Sequence, residues 1–166
     1  MQIKKAPGLR GFVVHTHFPE PPTMPHDIEE RGKPPLRPRI LMADDNTAIL
    51  DHVSDILRGD YEIIGKVVDG NCVCAEVARL KPDLIVLDIS MGECSGIEIA
   101  ERLREQGYSG EIVFLTVHED SAFVSAAIGA GGRGYVIKPR MNVDLGLAVK
   151  SVLSHQVFVS RPLPQE

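Results

Sequence analysis

"LIVLDISMG", residues 84 to 92, runs through an apolar stretch into Asp88 and then turns through Ser90, Met91 and Gly92. A short, wholly apolar run bounded by turn residues is the pattern of a strand covered on both faces. This one delivers a carboxylate to its own end, so the purpose of Asp88 becomes the question on which the fold and the chemistry both turn.

The surroundings of that run repeat its logic. From Arg39 onward, short apolar runs alternate with segments whose apolar residues recur every three or four positions. The spacing predicts strands at "RILMA" (39 to 43), "EIIGKVV" (62 to 68), "LIVLD" (84 to 88), "IVFLT" (112 to 116) and "GYVIK" (134 to 138). Helices are predicted near 46 to 58, 71 to 80, 96 to 106, 120 to 130 and 142 to 154. In the first helix Ile49, Leu50, Val53, Ile56 and Leu57 form one stripe, with Gly59 read as its stop. In the last, Met141, Val143, Leu145, Leu147, Val149 and Val152 are read mostly as core. Strands alternating with helices imply parallel pairing through right-handed crossovers. The expected architecture is therefore an α/β three-layer sandwich around a five-stranded parallel sheet.

Residues 1 to 38 differ. They hold 8 of the 12 prolines, with six Lys/Arg against four Asp/Glu, a composition that supports neither a helix nor a central strand. They are read as a Pro-rich, unstructured extension, followed by one domain over 39 to 155 and a short tail over 156 to 166. His15, His17 and His26 lie in the extension without a matching Cys or carboxylate ligand, and are read as solvated. The formal net charge of −5 without a dominant basic cluster argues against direct nucleic-acid binding. No apolar run approaches the ~20 residues of a membrane span. Cys72, Cys74 and Cys94, an odd number without a signal peptide, fit free thiols in a cytoplasmic protein. Cys72 and Cys74 are read as packing residues rather than a chelating pair.

In an open parallel sheet the ligand site lies outside the carboxyl ends of the strands. The residues at those ends are Asp44 and Asp45, Asp88, Thr116, and Lys138 followed by Pro139. Three carboxylates in one cup repel one another unless a cation offsets them. Oxygen ligands of this kind suit a hard divalent ion, Mg2+ foremost. With Mg2+ and Lys138 present the cup is close to neutral and can take an anion. A phosphoryl group on Asp88 would find the metal, the Lys138 ammonium and the Thr116 hydroxyl on its three oxygens, which is the positioning that phosphoryl transfer needs.

"ILMADDN", "LIVLDISMGECSG", "IVFLTVHED" and "GYVIKP", in this order, resemble the response-regulator receiver domain of two-component signalling, over about residues 39 to 155. The resemblance implies a flavodoxin-like sheet of order 2-1-3-4-5. It implies Asp88 as phosphoacceptor, Asp45 as a direct Mg2+ ligand, Asp44 acting mainly through water, and the backbone carbonyl of Ser90 as a further ligand. Lys138 would pair with Asp88 before phosphorylation and with the phosphoryl group after it. Thr116 and Tyr135 would move together as the switch, Tyr135 turning inward, while Ser90 and His118 would tune hydrolysis. The implied partners are a sensor histidine kinase or phosphotransfer protein, and a second copy through the fourth helix, fifth strand and fifth helix. Gly92 departs from the family's usual proline, and a mobile acceptor loop is expected from it. The stretch from Thr116 to Ser160 is similar to the receivers of the LuxR/NarL class, which usually carry a C-terminal helix-turn-helix domain. Two readings follow besides a stand-alone signalling module: the receiver half of a DNA-binding transcriptional regulator, or a phosphate sink or Mg2+-dependent phosphatase. The last lacks an acid/base carboxylate two residues past Asp88, so an enzyme that turns over is not expected.

Overall fold

The computed structural model describes residues 36–162. The three histidines of the N-terminal extension lie outside them. The chain runs β1 (Arg39–Ala43), α1 (Thr47–Leu57), β2 (Glu62–Val67), a 3-10 turn (Gly70–Cys72), α2 (Val73–Leu80), β3 (Leu84–Leu87), β4 (Ser90–Met91), β5 (Cys94–Ser95) and α3 (Gly96–Glu105). It continues through β6 (Glu111–Thr116), α4 (Ser121–Gly129), β7 (Gly134–Ile137), a second 3-10 turn (Lys138–Arg140), α5 (Met141–Leu153) and β8 (Phe158–Val159).

The main sheet is parallel throughout, in the order β2-β1-β3-β6-β7-β8. Its first five strands have the flavodoxin-like order expected. The expectation of five strands is corrected to six, because β8 joins the outer edge of β7, pairing Gly134 with Phe158 and Tyr135 with Val159. Phe158 N–H donates to Arg133 O at 2.9 Å and Ser160 N–H to Tyr135 O at 2.7 Å, so the segment read as a tail satisfies backbone groups that an open edge would leave to water.

Period-two alternation along the strands divides the core in two. Ile40, Met42, Leu84 and Val86 face Leu50, Val53 and Leu57 of α1 and Leu145, Val149 and Val152 of α5. Leu41, Ala43, Ile85 and Leu87 face Val73 and Val77 of α2, Ile99 and Leu103 of α3, and Ala127 of α4. Both faces are covered, which is why β1, β3 and β6 read as unbroken apolar runs. Asn46 starts α1, its side chain accepting from Ala48 and Ile49 N–H. The helix ends on Arg58 in the right-handed region, so Gly59 is not the left-handed stop read from the sequence. On α5, Val143 and Leu147 are 64% and 54% exposed rather than core. Cys74 and Cys94 pack against the core, whereas Cys72 is exposed and its packing role is withdrawn.

Candidate functional site

Asp44 and Asp88 leave the ends of β1 and β3, neighbouring strands at the centre of the sheet, and Thr116 ends β6 on the other side of β3. Asp88 is 3% and Thr116 0% exposed; Asp45 is exposed. One carboxylate oxygen from each of Asp44, Asp45 and Asp88 lies within 4.8 Å of the other two. Lys138, the first residue past β7, reaches in with Nζ 2.7 Å from Asp44 Oδ2 and 3.2 Å from Asp88 Oδ2. The Lys138–Asp88 pairing expected from the resemblance is present. The shorter contact to Asp44 was not anticipated, and no sequence signal distinguishes the two carboxylates as its partner.

Burial pushes the Asp88 carboxyl above the ordinary carboxylate range and the Asp44 charge adds to it, while Lys138 and the Ser90 backbone N–H work the other way. Burial opposes the Lys138 ammonium, yet Asp44 and Asp88 outweigh it and hold the lysine above its usual value. Three carboxylates against one ammonium leave an excess of two negative charges, and Asp44 Oδ2 is buried without an aligned hydrogen bond. That donor set, hard oxygens on converging strand ends, fits a divalent cation such as Mg2+.

The acceptor loop, where Gly92 stands in place of the family's usual proline, has a regular backbone. Ser90–Met91 and Cys94–Ser95 pair as an antiparallel hairpin, and Gly92 makes its turn at φ +63°. Glycine takes this left-handed turn without the steric cost that a Cβ would bring. Behind the loop, a Cβ on Gly96 would run into the Asp88 carbonyl oxygen, so glycine lets the start of α3 close on the acceptor's backbone. The sequence reading missed this residue, because the close approach of α3 to the Asp88 backbone is not written in the spacing.

His118 lies at the meeting point of four elements. Its N–H donates to Thr116 Oγ1 at 3.2 Å, and its carbonyl accepts from the Tyr135 hydroxyl at 2.9 Å. Its Nε2 is 3.1 Å from Ser90 Oγ, and its ring stacks on Phe123 of α4 at 4.1 Å. Tyr135 is thus already turned inward, 1% exposed, where the resemblance implied an inward turn on phosphorylation. Ser90, Thr116, His118 and Tyr135, read separately from the sequence, form one connected group.

Residues 40–150 match the family profile of the response regulator receiver domain. The chain belongs to that family. The receiver is 37% identical over 118 residues to a protein-glutamate methylesterase/protein-glutamine glutaminase of Nocardioides sp., covering 69% of this chain and 32% of that protein. It is 30% identical over 129 residues to the oxygen regulatory protein NreC of Staphylococcus haemolyticus, covering 75% of this chain and 59% of the relative. A two-component response regulator of the LuxR family from Aurantimonas sp. superposes with a TM-score of 0.71 at 25% identity, over 75% of this chain and 90% of that one. The receiver domain of NarL from Mycobacterium tuberculosis shares the fold, with a TM-score of 0.70 at 22% identity over 74% of this chain and 100% of that one. The chain spans about a third of the methylesterase's length and about three fifths of NreC's. Among the described residues, no helix of the receiver is long and apolar enough to cross a membrane.

Proposed function

We propose that the receiver takes a phosphoryl group on Asp88 from a sensor histidine kinase or phosphotransfer protein. The observation that carries this reading is the placement of Lys138 Nζ 3.2 Å from Asp88 Oδ2, at the end of a central strand with Asp44, Asp45 and Thr116 around it. In the transfer an Asp88 oxygen bonds to phosphorus as the bond from phosphorus to the donor's imidazole nitrogen breaks and the electron pair returns to that nitrogen. Asp88 is the nucleophile. Lys138 would neutralise one phosphoryl oxygen and orient the carboxylate, and the Thr116 hydroxyl would donate to another. Asp45 and the Ser90 carbonyl would hold Mg2+, with Asp44 behind them through water. When bound, Mg2+ supplies charge neutralisation for the incoming phosphate.

Mass spectrometry of the intact chain after incubation with acetyl phosphate and Mg2+ tests the reading: one added phosphoryl group is expected, absent in Asp88→Asn. Labelling that persists in Asp88→Asn would overturn it.

Output is proposed through the face of α4, α5 and the edge of β7, on which Val143 and Leu147 are exposed apolar residues. Because β8 occupies that edge, contact with a second copy would use β8 beside α4 and α5. A second reading is that the receiver serves a transcriptional regulator. It is supported by relatives such as NreC and the transcriptional regulatory protein DesR of Bacillus subtilis, of which the chain spans 59% and 58%. An electrophoretic shift assay on a product extended to the end of the reading frame separates the two.

A further inference from the structure

Phe123 has no place in the chemistry derived above, yet its ring lies flat on the His118 imidazole, with centroids 4.1 Å apart and planes inclined by 16°. The other edge of that imidazole meets Ser90 Oγ at 3.1 Å. Ser90 and His118 each follow a buried site residue by two positions, Asp88 and Thr116 respectively. Their contact therefore crosses from the acceptor loop to the β6–α4 loop, outside the strand ends, as a roof over the acceptor. Phe123 sits in the first turn of α4, where it also packs against the core, and its stack on His118 joins that turn to this roof.

We propose that Phe123 is a positioning residue: by stacking on His118 it holds the imidazole against Ser90 and sets how long a phosphoryl group on Asp88 survives. This rests on Asp88 being the acceptor. Hydrolysis joins a water oxygen to phosphorus as the bond from phosphorus to Asp88 oxygen breaks. The bonding pair leaves with the carboxylate, and the water's protons stay on the inorganic phosphate released. In-line attack brings that water from the side opposite the Asp88 oxygen, which is the outer side where the roof lies. An imidazole stacked on one face and hydrogen-bonded at one edge keeps a single orientation. One that has lost the stack turns about its side-chain torsions and opens the path.

The test loads the full chain with acetyl phosphate and Mg2+, removes the donor, and follows the phosphorylated mass with time. Phe123→Leu, which keeps an apolar side chain but no ring, is expected to shorten the half-life by about three- to tenfold, the rate equivalent of one lost hydrogen bond's ordering. His118→Ala should shorten it alike, and the double variant no further, since Phe123 acts through His118. Phe123→Tyr keeps the stacking face and should restore the wild-type half-life. In the unphosphorylated protein, the His118 ring-proton resonances should move downfield in Phe123→Leu and stay in place in Phe123→Tyr. A wild-type half-life in Phe123→Leu, or a double variant faster than both singles, overturns the proposal. Failure of the wild-type chain to gain phosphoryl mass is a different result, seen before any decay begins. It overturns the acceptor reading and this inference with it.

Discussion

Lys138 and Asp44 form the shortest ion pair of the acceptor site, Nζ standing 2.7 Å from Asp44 Oδ2. The other Asp44 oxygen accepts the Asn46 N–H at 2.9 Å, which begins the turn into α1. Both oxygens of this buried carboxylate are thus engaged with the protein, whereas Asp45 next to it is exposed. Adjacent residues of one type are given different duties by which way the strand end points them.

The first prediction concerns the metal. Asp44→Ala should weaken Mg2+ binding by about tenfold, as loss of an orienting partner behind a ligand does, and Asp45→Ala should weaken it clearly more. Isothermal titration with Mg2+ checks the order. Equal losses, or a larger loss in Asp44→Ala, would overturn the assignment of Asp45 as the direct ligand and Asp44 as the residue behind it.

The second concerns the acceptor hairpin. Proline, the residue usual in the family at this position, holds φ near −65° and cannot adopt the +63° of Gly92. Gly92→Pro should therefore destabilise the fold by about 1–3 kcal/mol, and Gly92→Ala by less. Urea unfolding measures both, and a Gly92→Pro variant as stable as wild type would mean that the hairpin turn is not needed.

How far the sequence could be read follows from where each signal resides. The alternation of apolar runs and helical stripes is written locally, and it placed β1, β3, β6 and the residues at their ends correctly because burial on both faces leaves no other pattern. β8 was not legible. Phe158 and Val159 lie in "HQVFVSRP", too short for any period, and are a strand only because the edge of β7 offers Arg133 and Tyr135 carbonyls. The stack of Phe123 on His118 was hidden for the same reason: ring contacts depend on rotamers and on loop geometry, which spacing does not encode. Which of the apolar residues of α5 face outward, Val143 and Leu147, was not legible because an apolar residue on a helix reads as core until the position of the sheet is known.

The third prediction follows from Tyr135 being inward already. Its hydroxyl is bonded to His118 O at 2.9 Å, and burial, helped by the Asp120 charge, pushes its pKa up to about 12. Beryllofluoride, a phosphoryl mimic, should therefore produce NMR shifts centred on Thr116, His118 and the first turn of α4, with Tyr135 keeping its buried ring environment. A large change in the Tyr135 ring resonances would mean that the switch still has its full swing to make. Tyr135→Phe should cost about 1 kcal/mol in unfolding free energy, the net worth of one hydrogen bond.

The fourth prediction concerns the segment that carries β8. Ser160 Oγ donates to Asp144 Oδ2 at 2.6 Å and accepts the Ile137 N–H at 3.3 Å, while the Arg140 guanidinium grips the same carboxylate at 2.8 and 3.2 Å. Arg140, with Ser160 assisting, holds the Asp144 carboxyl below its ordinary value against the opposing effect of burial. A carboxyl depressed in the folded state stabilises that state fully above the ordinary unfolded value of about 3.9 and ceases to do so as pH falls through the folded value. The protection of the Phe158 and Ser160 amides against hydrogen exchange, corrected for the intrinsic rate, should therefore be constant from neutral pH down to about 4 and fall below it. Asp144→Asn carries no titrating carboxyl, so its β8 amides should be less protected at neutral pH and should lack this acid step. Asp144→Ala, which also leaves the Ser160 hydroxyl without its acceptor, should lower stability by about 1–3 kcal/mol. If the acid step persists unchanged in Asp144→Asn, a different carboxyl releases β8.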